Sequence, residues 1–145
     1  MMALTFARLR ADPACLDTAT DVIVNLEADL TMEFEGNVIY EEVSFPVAEL
    51  AFALIKWAQS RAADRPDFEF DSMSAEEPGL VWVRRTNGGS RVGSICQDRP
   101  LTTVLAMEQV DQVIRGYVED LRSQVLDRFG QRALEQLVEA LRADP

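Results

Sequence analysis

The chain contains no histidine among its 145 residues, and that absence removes a broad set of activities. Ser-His and Cys-His nucleophile arrangements, histidine-ligated zinc and the zinc-deaminase signature all need an imidazole. Cysteine is scarce. Cys15 and Cys96 lie far apart and match no metal-ligand or redox spacing. The start, "MMALTFARLRADPACL", has arginines inside its apolar stretch and no secretory signal pattern. Both thiols are therefore expected reduced, in a cytoplasmic protein. Cys96, in an expected strand with no histidine to activate it, reads as a buried structural thiol. No apolar run approaches the roughly 18 residues of a membrane span. Neither GxxxxGK[ST] nor GxGxxG occurs, and "TNGGS" reads as a hairpin tip rather than a loop entering a helix. No cofactor is expected.

What is present is acid. The net charge is −11, which argues against nucleic acid or an anionic membrane as partner, since both call for a basic patch. It permits fast association with a basic protein. The acidity is local. From Asp17 to Glu49 there are nine acidic residues (17, 21, 27, 29, 33, 35, 41, 42 and 49) and neither Lys nor Arg. That third of the chain supplies −9 of the −11, whereas the part from Met107 onward has eight acidic and five basic residues. With 48% apolar and 27% charged residues and no repeat or low-complexity linker, residues 1–145 are expected to fold as one domain.

Periodicity places the acid. A short first strand is expected around Leu4–Leu9. From Val22 to Glu35 apolar and polar residues alternate, predicting a long strand with Leu26, Ala28, Leu30, Met32 and Phe34 on one side. Glu27, Asp29, Thr31, Glu33 and Glu35 fall on the other. Gly36-Asn37 is a two-residue hairpin signal. The register it implies sets Glu33 against Tyr40 and Thr31 against Glu42, so Glu27, Asp29, Glu33, Glu35, Tyr40 and Glu42 would share one exposed face. Its weak point is Glu41, which would face Met32 on the buried side. "FPVAELAFALIKWAQSRAA" predicts a helix with Pro46 at its start and Glu49 in its first turn. "DFEFDSM" predicts a strand, and "LVWVRR" with "RVGSICQ" a hairpin. Either Asn87-Gly88 or Gly88-Gly89 could be its central pair, placing Trp82 opposite Gly93 or Ile95. Two helices close the chain, one ending near Gly130 and one over Gln131–Arg142. The order β-β-β-α-β-β-β-α-α predicts an α+β fold, a mostly antiparallel sheet of five or six strands with helices on one face.

Other carboxylates are weaker candidates. Asp67, Glu69 and Asp71 alternate along one strand face, but an EF-hand loop would need Gly and Glu where Ser72 and Pro78 stand. Asp71, Glu76 and Glu77 could serve a metal-dependent enzyme, although adjacent acids before Pro-Gly usually mark a solvated turn. Trp57 and Trp82 read as core.

The combination of "NLEADLT", "FPVAELAFALIKW", "DFEFDSMSAEEPG" and "RVGSICQ" resembles a family of small stand-alone bacterial proteins, frequent in actinobacteria, known only as a domain of unknown function. It implies the α+β fold and carries no active site. In size, charge and architecture the chain also resembles immunity proteins of polymorphic toxin systems. The expectation is thus a non-enzymatic acidic module that binds a basic partner such as a toxin domain through Glu27, Asp29, Glu33, Glu35, Tyr40 and Glu42, as monomer or homodimer, with no metal. The alternatives are a structural homo-oligomer or adaptor using the C-terminal helices, and a metal-dependent enzyme.

Overall fold

Thr18 begins a helix where alternation predicts a strand. The computed structural model describes residues 2–72, 79–97 and 103–142. In chain order these form β1 (Met2–Arg10), α1 (Ala19–Asn25), β2 (Glu27–Phe34), β3 (Asn37–Phe45), α2 (Val47–Ala58), β4 (Phe68–Glu69), β5 (Trp82–Thr86), β6 (Gly89–Gly93), α3 (Met107–Phe129) and α4 (Gln131–Leu141). The expected strand over Val22–Glu35 is therefore two elements. Thr18 Oγ1 accepts from the Asp21 N–H at 3.1 Å, and Asp21 lies in the first turn of α1, where its charge suits the helix dipole. Val22 and Leu26 are both fully buried. Their four-residue spacing fits one face of a helix as well as one side of a strand. Val24, between them, is 49% exposed, as a helix requires and a buried strand face would not allow.

The fold is α+β, but the strands make two antiparallel three-stranded sheets, β1-β2-β3 and β4-β5-β6, rather than one. The β2–β3 turn is Glu35-Gly36, with φ of 51° and 82°, the paired positive angles of a type I′ turn. Asn37 is already in β3, opposite Phe34, where the expected register sets Ile39, a shift of two residues that by itself keeps each side chain on its face. Two bulges follow. Ile39 is extra between the pairs Glu33↔Val38 and Met32↔Tyr40, and the register shifts again between Leu30↔Glu42 and Ala28↔Phe45. A slip of one residue exchanges the faces of a strand. Tyr40 and Glu42 therefore pair with the inward Met32 and Leu30, while Glu41 faces Thr31 on the outer side. The mismatch of Glu41 against Met32 disappears.

The second hairpin turns at Asn87-Gly88, since Thr86 pairs with Gly89 and Trp82 with Gly93. A Cβ on Gly93 would lie 2.5 Å from the Trp82 ring, so only glycine lets the strands close there. Phe68 and Phe70 are buried while Glu69 and Asp71 are exposed, the alternation expected of "DFEFD".

Apolar stripes at helical spacing pack all four helices into one cluster with residues of both sheets. Val47, Leu50, Ala51 and Leu54 come from α2, Val110, Ile114, Tyr117 and Leu121 from α3, and Ala133, Leu137 and Leu141 from α4. Arg65, only 6% exposed, locks the end of α2 to α3. Its guanidinium donates to the carbonyls of Ala58 at 2.8 Å and Ser60 at 2.9 Å, pairs with Asp111 at 2.6 Å, and lies 5.0 Å from the Trp57 ring centroid. Unsatisfied carbonyls at the α2 terminus are thereby covered.

Only one side of β1-β2-β3 meets this core. Met2, Leu4, Phe6, Leu30 and Met32 are buried, whereas Ala3, Thr5, Ala7, Glu27, Asp29, Thr31, Glu33, Val38 and Glu41 on the other side are half-buried or exposed. Antiparallel sheets tolerate one wet face.

Candidate functional site

The open face of β1-β2-β3 is built by the period of two. On β2 it carries Glu27, Asp29, Thr31 and Glu33. Their partners on β1 are Arg10, Ala7, Thr5 and Ala3. On β3, Val38 faces Glu33 and Glu41 faces Thr31. Four carboxylates thus occupy adjacent strands of one surface, and three of them (Glu27, Asp29 and Glu33) belong to the set expected from sequence.

The other three sit elsewhere. Glu35 occupies the β2–β3 turn. Tyr40 is buried at 4% exposure on the inner side, and its hydroxyl donates to Glu42 Oε2 at 3.3 Å. Burial, then the charge of Glu42 and the nearby Cys96 thiol, push the Tyr40 phenol well above its ordinary 10.0. Tyr40 is a core aromatic and not the exposed anchor that the Gly36-Asn37 register implies. Glu41, missed by that register, takes a place on the open face. The signal was available: an acid set against a buried methionine is a reason to shift the pairing.

Sequence also left the acids without a counter-charge, and the structure supplies one. Arg8 forms an ion pair with Asp29, and Arg10 Nη2 reaches Asp29 Oδ1 at 3.1 Å. The Ser44 N–H donates to the same carboxylate at 3.2 Å. Loss of hydration raises the Asp29 carboxyl, but the Ser44 N–H, Arg10 and Arg8 outweigh it and hold the group below its ordinary 3.8. Both flanking strands are irregular at this point. Arg8 and Ser44 have φ of 57° and 59°, left-handed backbone that side chains other than Gly rarely adopt. The register of β1 shifts between Ala7 and Arg10, beside Asp29. The two deformations turn Arg8 and the Ser44 N–H toward one carboxylate.

The face is therefore graded. At the Asp29 end it is neutralised. Toward the hairpin, Glu33 and Glu41 make no ion pair among the described residues, with Val38 beside them 50% exposed; Val43, 70% exposed, lies further along β3 next to Ser44.

The weaker candidates resolve as follows. Asp67 accepts the Arg85 N–H at 2.8 Å, and Glu76 and Glu77 lie outside the described residues. Among the described residues no group of three or more His, Cys, Asp or Glu is placed to hold a metal ion. Cys96 follows β6 in a turn and is exposed, not the buried strand thiol expected, because β6 ends at Gly93. Trp57 and Trp82 are both 9% exposed, as core residues. No helix among the described residues is long and apolar enough to cross a membrane.

No curated protein and no solved structure matches the chain. A family match does exist, running from β1 through most of α3 and so spanning the open face and the core beneath it. Residues 4–127 match the family described as a domain of unknown function (DUF7878), and the chain belongs to that family.

Proposed function

We propose that the protein is a non-enzymatic interaction module of the immunity type, which binds a basic toxin or effector domain and occludes its active site. The observation that carries this reading is the graded, helix-free face. It holds Glu27, Asp29, Glu33 and Glu41 against Arg8 and Arg10, with its uncompensated end at Glu33 and Glu41. Carboxylates there steer a basic partner and pair with its Arg or Lys side chains, giving fast, salt-sensitive encounter. Val38 and Val43 supply the apolar contact that slows dissociation, in place of Tyr40, and Glu35 extends the acidic end at the turn. A surface made only for solubility mixes both signs along its length, and the hairpin end of this one does not.

The alternative of a homo-oligomer or adaptor using the C-terminal helices has less to support it, since Ala133, Leu137 and Leu141 of α4 are buried within the chain and Leu134 and Val138 are half-buried.

The test is direct. If the neighbouring genes encode a basic effector domain, its binding is measured by surface plasmon resonance for the wild type and for Glu33→Lys/Glu41→Lys, and the lack of any such gene counts against the immunity reading. The expected result is an association rate that falls steeply with salt and an affinity at least tenfold weaker in the double variant, with an unchanged melt. Equal binding by the variant removes the site, and no binding by the wild type removes the immunity reading.

A further inference from the structure

We propose that the groove between the outer edge of β1 and helix α3 binds an extended peptide with basic ends as an added strand of β1-β2-β3. This goes beyond the acidic face and does not depend on it.

The edge is open. β1 is the terminal strand of its sheet. The two-residue turn Glu35-Gly36 closes on the pair Phe34↔Asn37, so Phe34 directs its backbone groups to β3 and Glu33 directs its own to Ala3 on β1. Ala3, Thr5 and Ala7 thus bond toward β2, and Met2, Leu4 and Phe6 turn their N–H and C=O outward. Among the described residues those outward groups have no backbone partner. Edge strands are normally blunted by charge, proline or a bulge. Met2–Ala7, "MALTFA", contains neither charge nor proline, and the β1 bulge lies beyond it.

The edge faces a groove rather than bulk solvent. One cavity of about 330 Å³ lies between Met2–Thr5 and the Gln112–Asp120 stretch of α3. A second, of about 210 Å³, continues past Met2 to Glu35 and shares Gln112 and Val113. Gly116 lines the first. It sits inside a 23-residue helix, where glycine is a much poorer helix former than alanine. A Cβ there would meet nothing within 4 Å, and its φ is not positive. Among the described residues, neither packing nor backbone geometry explains the glycine. A bare stretch of helix opposite an open strand edge leaves room for a third backbone between them, the arrangement used when a peptide is bound by strand addition.

Charge selects the occupant. Among the described residues, the charged residues lining the two cavities are Glu35 at one end and Asp120 at the other. An extended segment carrying Arg or Lys near both ends meets both. A second copy of this chain would bring the same acids and a further net charge of −11.

The test uses a phage-displayed nonapeptide library selected on the full chain, followed by fluorescence anisotropy with the recovered peptides. Enrichment of alternating sequences with Arg or Lys near both ends is expected, together with slowed amide exchange at Met2, Leu4 and Phe6. Gly116→Leu should weaken binding at least tenfold without lowering the melting temperature, and Asp120→Lys should weaken it several-fold. Glu33→Lys/Glu41→Lys should bind the peptides normally, which separates this groove from the open face. Failure to enrich any strand-forming peptide overturns the proposal, as does undiminished binding by Gly116→Leu. Protection of the β1 amides that grows with protein concentration in the absence of peptide would overturn it in favour of a β1–β1 dimer.

Discussion

One nitrogen of Arg10 joins all three strands of the acidic sheet: Nη2 lies 3.1 Å from Asp29 Oδ1 on β2 and 2.7 Å from Ser44 Oγ on β3. Asp29→Asn keeps the shape but removes the charge that gathers Arg8, Arg10 and Ser44. Its carboxyl is held below 3.8 in the folded chain. A depressed carboxylate stabilises fully above its unfolded value and loses that contribution as pH falls below it. The wild type should therefore lose stability below about pH 4. Asp29→Asn should be less stable than wild type at neutral pH and show a shallower acid decline. Urea unfolding at neutral and acid pH checks both, and equal acid slopes would remove Asp29 from the account.

This cluster also marks where the sequence stops being readable. The alternation of Glu27–Phe34 is legible because one face must be apolar, and the α2 and α3 stripes are legible for the same reason. The partner of Asp29 is not, since it depends on β1 pairing with β2 in one register and on left-handed backbone at Arg8 and Ser44. Tyr40 and Glu41 changed faces because Ile39 is an extra residue in β3 between the pairs Glu33↔Val38 and Met32↔Tyr40, a bulge that the turn residues do not announce. α1 was hidden because Val22 and Leu26 satisfy a period of two and a period of 3.6 alike.

Tyr117 and Tyr40 are the only two tyrosines in the chain, and both are buried. Tyr117 donates to the Val47 carbonyl at 2.6 Å and meets Phe6 edge-on at 5.8 Å, joining α3, α2 and β1. Burial, reinforced by Asp120 at Tyr117 and by Glu42 at Tyr40, raises both phenols above 10.0. A raised phenol keeps its contribution below the unfolded value and loses it as pH rises past that point. The folded protein should show no phenolate absorbance at pH 10, where the chain in denaturant is half ionised, and stability should decline above it. Tyr117→Phe should cost about 1 kcal/mol for the lost hydrogen bond, measured by urea unfolding at pH 7.

Arg65 is the most deeply buried charge among the described residues that makes an ion pair, and its three donors serve two carbonyls and Asp111. Arg65→Ala leaves the α2 terminus uncovered and Asp111 without its cation. Removing one member of a buried pair costs roughly 3–5 kcal/mol. Asp111 retains 29% side-chain exposure and can be hydrated, which places the expected loss at the lower end, about 3 kcal/mol. Lys has no planar fork to reach both carbonyls and the carboxylate, so Arg65→Lys should recover less than half. Full recovery by lysine in urea unfolding would show that only the charge matters.

Gly116→Ala tests the premise beneath the groove. If the glycine serves no contact inside the chain, alanine should stabilise the free protein by about 1 kcal/mol, a rise of roughly 3 °C in Tm. The gain comes from the less flexible unfolded chain and the better helix former, since no neighbour lies within 4 Å of the added methyl. A small methyl should leave part of the groove open, so peptide binding should weaken less than in Gly116→Leu. The pairing of higher stability with weaker binding is the signature of a residue kept small for a ligand. A destabilised alanine variant would instead place the glycine in the service of the fold, and the groove would lose its strongest support.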